Sequence, residues 1–141
     1  MSKTVQGLLT VAARLMLSAI FLASAAGKKI PNFSEVAKVM AKVGIPQPEL
    51  MLVGAIVFLL AGSVSLILGY RARIGATLIL VFLVLATYYF HDFWNLTDPQ
   101  AKEMQTIQFM KNLAIMGAMV FIIANGSGPM SLDAKRQPKT A

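Results

Sequence analysis

LMLVGAIVFLLAGSVSLILGYRARIGATLILVFLVLATYYF, residues 50–90, decides the fold. Two charge-free apolar runs, residues 50–68 and 74–90, flank the five residues Gly69-Tyr70-Arg71-Ala72-Arg73. About 20 helical residues cross the roughly 30 Å of bilayer hydrocarbon, so both runs read as transmembrane helices. A link this short joins only antiparallel neighbours, here through a basic turn that Gly69 opens as a helix stop. The whole chain agrees. Of its 141 residues 57% are hydrophobic and only 13% charged, and the mean hydropathy is +0.68. A soluble domain does not have this composition.

Working outward, two further spans must take in charge. Only 13 residues separate Arg14 from Lys28, and 12 separate Asn112 from Asn125. Both stretches fall short of the roughly 17 residues that crossing requires. Extending them to residues 8–26 and 104–124 places Arg14 inside the first span, and Gln105, Gln108, Lys111 and Asn112 inside the last. Ala23-Ser24-Ala25 mimics a signal-peptidase site. Arg14 nevertheless interrupts what would be the apolar core of a signal, so the segment is expected to remain as a span. The expectation is one all-α domain over residues 1–141: an integral membrane antiparallel four-helix bundle with spans at about 8–26, 50–69, 74–90 and 104–124.

Between spans one and two, Asn32-Phe33-Ser34-Glu35 offers an N-cap with a glutamate three residues on. Phe33, Val36, Ala37, Met40 and Val43 follow at helical spacing until Gly44, Pro46 and Pro48 end the pattern. This predicts a short amphipathic helix over residues 32–43, on the membrane surface or folded over the bundle mouth. Phe93 and Trp94, after span three, suit an interfacial belt. Ala19, Ala23 and Gly27, and likewise Ala61, Ser65 and Gly69, recur every four residues as expected packing seams. The tail, residues 131–141, reads as a disordered basic extension.

Four spans put both termini on one side, with Lys3, Arg71, Arg73, Lys135, Arg136 and Lys139 against Asp133. The compact basic turn and tail predict that this side is cytoplasmic. The net charge of +7 is accordingly assigned to topology and anionic lipid, not to nucleic acid. Without cysteine, and with His91 as the single histidine, the chain excludes thiol chemistry. No haem, iron–sulfur cluster or zinc is expected from this chain alone, nor any other metal site.

Ionisable groups in a bilayer cost at least about 2.5 to 3.5 kcal/mol at its centre, so by default they face the interior and serve function. Gln105, Gln108 and Asn112 recur every three to four residues with Lys111 at the edge of the same face. Histidine is the side chain that exchanges protons near neutral pH without special tuning. The sequence thus predicts a polar pocket open on the non-terminal side, lined by His91, Gln108, Lys111 and Asn112, with Arg14 below it and Lys111 facing inward. The competing reading is interhelical hydrogen bonding that only holds the bundle together.

Five motifs point to a family. They are Arg14 with the Ala-rich first span and Gly27-Lys28; Gly69-Tyr70-Arg71-Ala72-Arg73-Ile74-Gly75-Ala76; and Tyr88-Tyr89-Phe90-His91-Asp92-Phe93-Trp94. Gln108-Phe109-Met110-Lys111-Asn112-Leu113-Ala114 and Gly126-Ser127-Gly128-Pro129-Met130-Ser131-Leu132-Asp133 complete the set. In their order and spacing the chain resembles, over nearly its whole length, the DoxX family of small four-span bacterial membrane proteins. That family is named for membrane subunits linked to quinone reduction by thiosulfate. The resemblance implies a multi-pass inner-membrane, redox-associated subunit with quinone as cofactor, working with a protein partner subunit or as a homo-oligomer. The alternative it leaves open is a non-enzymatic scaffold or assembly subunit, or a carrier of a small anionic or lipidic ligand held by Arg14 and Lys111. No catalytic residue is assigned.

Overall fold

The computed structural model describes residues 2–136 and, among them, is all-helical. Helix α1, Lys3–Ser24, opens with the Ser2 hydroxyl accepting the Val5 N–H and runs on into a π-helical turn, Ala25–Lys29. Helix α2, Phe33–Lys42, is the expected amphipathic helix. Its apolar face packs with Leu52, Ile56 and Phe90, so it folds onto the bundle mouth. The Asn32 side chain does not cap it; its amide instead donates to the Lys28 carbonyl at 3.0 Å.

Helices α3, Pro48–Leu68, and α4, Ala72–Phe90, form the tight hairpin. Gly69 closes α3 at φ 59, a left-handed conformation that glycine adopts without strain, and the Tyr70 N–H reaches back to the Ser65 carbonyl. After a 3-10 turn at Phe93–Asn95, helix α5, Pro99–Asn125, starts under an Asp98 cap, and α6, Leu132–Arg136, follows its end. Four helices are long and apolar enough to cross a membrane.

Close packing runs in the order α1, α3, α4, α5, with α3 against α4 as the tightest seam. Side chains of all four helices nevertheless meet in one core that includes Phe21, Leu59, Ile79 and Met119. The α3–α4 seam depends on Gly62 and Gly75. A Cβ on Gly62 would lie 2.6 Å from Ile79 and 2.9 Å from the Gly75 carbonyl, too close for any other residue. The expected seams hold in part: Ser65 abuts Gly75 and Gly69 is buried, while Ala61 is exposed. On α1 the expected Ala19, Ala23 and Gly27 are exposed, because Arg14, Ser18, Phe21 and Ala25 supply its buried stripe.

The tail departs from expectation as well. Residues 131–136 are ordered, because Ser131 Oγ caps the Ala134 N–H at 3.1 Å and the Asp133 N–H donates to the Gly69 carbonyl at 2.8 Å. Residues 137–141 of the expected disordered extension lie outside the described residues.

Candidate functional site

The polar groups of the membrane region gather at two separate ends. Arg14 sits at the terminal end, not beneath a pocket on the other side. It is only 4% exposed. Its Nε donates to the Thr10 carbonyl at 3.2 Å and its Nη2 to the Met130 carbonyl at 2.9 Å, while Nη1, pressed against Gly69, has no protein partner. Thr10 Oγ1 adds a bond to the Pro129 carbonyl at 3.0 Å. The guanidinium therefore staples α1 to the loop after α5. A long side chain that would be costly in lipid is held by backbone carbonyls at Nε and Nη2, with Nη1 left unpaired.

Asp133 completes this end. Its Oδ1 accepts the Arg71 N–H at 2.7 Å and its Oδ2 the Ala72 N–H at 3.0 Å, so a residue from the far end of the chain caps the start of α4. The first amides of a helix lack intrahelical partners and attract a carboxylate. Sequence reading places Asp133 on this side and in a family motif but misses its role, because no local pattern announces a cap supplied from 62 residues away.

At the opposite end the remaining expected residues form three pairs instead of one lined pocket. His91 follows α4, with its Nδ1 2.7 Å from Gln105 Oε1. In the neutral ring, the tautomer that fits this contact carries its proton on Nδ1 and donates it to the amide oxygen. Asn112 is buried and donates from Nδ2 to Thr87 Oγ1 at 2.9 Å, joining α5 to α4. Lys111 donates to Gln108 but is exposed on α5, so the expected inward-facing lysine is corrected. The stripe that α5 turns inward is Asn112, Met119 and Ile122, and Lys111 lies about 100° around the helix from Asn112.

A different lysine enters the bundle. Half-buried Lys29, in the π-helical turn, donates to Ser24 Oγ at 2.5 Å and lies 5.3 Å from the centroid of the Phe82 ring on α4. Its signal in the sequence was the position at the end of span one, which resembles an interfacial charge. The π-helical turn, a feature frequent at functional sites, is what turns it inward.

Between α4 and α5 lies a cavity of about 190 Å³ lined by Val84, Thr87, Tyr88, Trp94, Phe109, Leu113 and Met116. Trp94, Phe93 and Phe109 pack edge to face around its outer end. Thr87, which accepts the Asn112 bond, belongs to both the lining and the polar pair. The result is an aromatic slot whose lining is wholly apolar, opening sideways between exposed Tyr88 and Leu113.

The profile of the DoxX family matches residues 9–92. The chain belongs to the DoxX family. It is 29% identical over 107 residues to the inner membrane protein YphA of Escherichia coli strain K12, covering 76% of each chain. It is 27% identical over 121 residues to the inner membrane protein YqjF of the same strain, covering 86% of each. A Surfeit locus protein 4 homolog of Schizosaccharomyces pombe is 22% identical over 72 residues, half of this chain and 24% of that one. No solved structure matches. The four spans and these relatives make this DoxX member a multi-pass inner membrane protein.

Proposed function

We propose that this DoxX chain is a quinone-linked membrane subunit, which holds the ring of a lipid-soluble quinone between α4 and α5 and presents it to a redox partner. The slot lined by Thr87, Tyr88, Trp94 and Phe109 is the observation that carries the reading. A flat, weakly polar ring fits aromatic walls, and its carbonyls need a few well-placed donors. The lining presents no polar surface, so the slot supplies ring packing and not donors. When bound, the quinone supplies two-electron redox chemistry, and the chain's own groups bind and orient it. His91, paired at Nδ1 with Gln105 where α4 ends, is the imidazole nearest the slot's end of that helix in sequence. Both termini are taken as cytoplasmic on the strength of the basic turn at Arg71 and Arg73.

The second reading, a non-enzymatic scaffold or lipid carrier, is favoured by the way Asn112 with Thr87 and His91 with Gln105 satisfy each other without a ligand. One experiment separates the two. Trp94 is the single tryptophan, so its fluorescence reports the slot alone. Titration of the purified protein with a short-chain ubiquinone is expected to quench it saturably, and Phe109→Ala to weaken the affinity about fivefold by loss of ring packing. Unsaturable quenching that ignores the substitution would refute the quinone reading. Equal competition by an aromatic amphiphile without carbonyls would favour the carrier.

A further inference from the structure

Charge does not balance at the terminal end. Lys3, Arg71, Arg73, Lys135 and Arg136 are all exposed there, and Asp133 is the one carboxylate on that side among the described residues. Both of its oxygens are already taken by the backbone N–H groups of Arg71 and Ala72. Two of the cations nevertheless share one aromatic neighbour. The Arg136 guanidinium carbon lies 4.5 Å from the centroid of the Tyr70 ring, and that of Arg71 lies 5.8 Å from the same centroid.

Two guanidinium groups against one phenol ring repel each other, and an anion bound by both relieves that repulsion. Neither is free to drift away at its root. Arg71 is fixed by a left-handed backbone, φ 48, and by the bond from its N–H to Asp133. Arg136 stands on α6, which Ser131 caps. The Tyr70 ring itself sits in the turn between two membrane-crossing helices, at the depth where aromatic side chains meet lipid headgroups. Planar, forked donors match the paired oxygens of a phosphodiester.

We propose that Tyr70, Arg71 and Arg136 form a binding site for the phosphodiester of an anionic phospholipid. The site exists only when the segment after α5 is docked, because that segment contributes Arg136 and fixes Arg71 through Asp133. Lipid binding and docking therefore support each other. The positive potential is visible in Tyr70, whose hydroxyl is pulled below its ordinary pKa, first by the hydrogen bond from Arg136 and then by the charges of Arg71 and Arg136.

The test uses the full chain in nanodiscs of phosphatidylcholine with one quarter phosphatidylglycerol, and counts retained phosphatidylglycerol by native mass spectrometry. The parent is expected to retain it. Arg71→Gln with Arg136→Gln is expected to lower retention roughly tenfold, the worth of one charge-assisted contact. A charge-matched pair, Lys3→Gln with Lys135→Gln, should change retention less than twofold. Equal loss in both pairs would reduce the effect to diffuse attraction and overturn the site, as would undiminished retention in the arginine pair. Arg136→Gln alone leaves the Asp133 cap in place and decides the matter if the double variant fails to fold. Inorganic phosphate is added to the protein in neutral detergent as the soluble source. If it raises the thermal midpoint in an Arg136-dependent way and phosphatidylglycerol does not, the lipid assignment is wrong.

Discussion

At the terminal end of the bundle the decisive hydrogen bonds join residues far apart in sequence, Thr10 to Pro129, Arg14 to Met130 and Asp133 to Arg71, with separations of 119, 116 and 62. At the opposite end they join near neighbours in the chain: Lys29 to Ser24, Lys111 to Gln108, His91 to Gln105 and Asn112 to Thr87, at separations of 5, 3, 14 and 25. Loop-closure entropy rises only slowly with length, so the long-range bonds lock three segments at modest extra cost. Each short-range pair constrains one helix or one helix contact, and can open without the rest. One end is thus built as an anchor and the other as an adjustable mouth, the division expected where a rigid frame carries a site that must admit a ligand.

The sharpest way to break this comparison is to exchange one charge at each end for methionine. Arg14→Met keeps most of the side-chain length but leaves the Met130 carbonyl without its donor and a poorly filled space beside Gly69. The expected loss is on the order of 3 kcal/mol in detergent-based chemical unfolding. Lys111→Met removes an exposed group whose partner Gln108 can turn to other acceptors or donors, and should change stability by less than about 0.5 kcal/mol. Comparable losses from the two substitutions would mean that the mouth is as rigid as the anchor.

Asp133 tests how the anchor works. Asp133→Ala strips the acceptor from two amides at the start of α4 and should cost about 1 to 2 kcal/mol. Hydrogen exchange at Arg71 and Ala72 should quicken in step. Asp133→Asn retains one acceptor oxygen and should lose about half as much. Unchanged exchange at these amides would show that the cap contributes nothing to holding the hairpin.

The same contrast explains what could be read from the sequence. The spans were legible because apolar runs such as 50–68 and 74–90 record their environment residue by residue. The amphipathic helix was legible for the same reason, with Val36, Ala37 and Met40 on one face. Burial of Arg14 was also legible, because a charge in so short an apolar stretch needs interior partners. Its partners were not, since backbone carbonyls at Thr10 and Met130 carry no sequence signature. Lys111 was assigned to the wrong side because it adjoins the polar stripe, and one residue turns the helix about 100°. Lys29 drew no reading from the sequence because a π-helical turn has no pattern that betrays it in advance.

The smallest expected effect concerns Tyr70, where the anchor meets water. Its hydroxyl is held below the ordinary value, first by the hydrogen bond from Arg136 and then by the charges of Arg71 and Arg136. A depressed folded value means that, between it and the unfolded value of about 10, the folded chain binds fewer protons than the unfolded one. Stability from this group therefore rises with pH across that window, is complete above about pH 10, and vanishes as pH falls through the folded value. Well below the folded value it contributes nothing. The check is spectroscopic: the phenolate absorbance lost in Tyr70→Phe, taken as the difference from the parent, should titrate below free tyrosine. Arg136→Gln should return it toward the ordinary value, because the first cause of the shift is gone. A Tyr70 titration indifferent to Arg136→Gln would mean that the segment after α5 does not reach the turn in the membrane-embedded protein. The long-range character of the anchor would then rest on Arg14 and Asp133 alone.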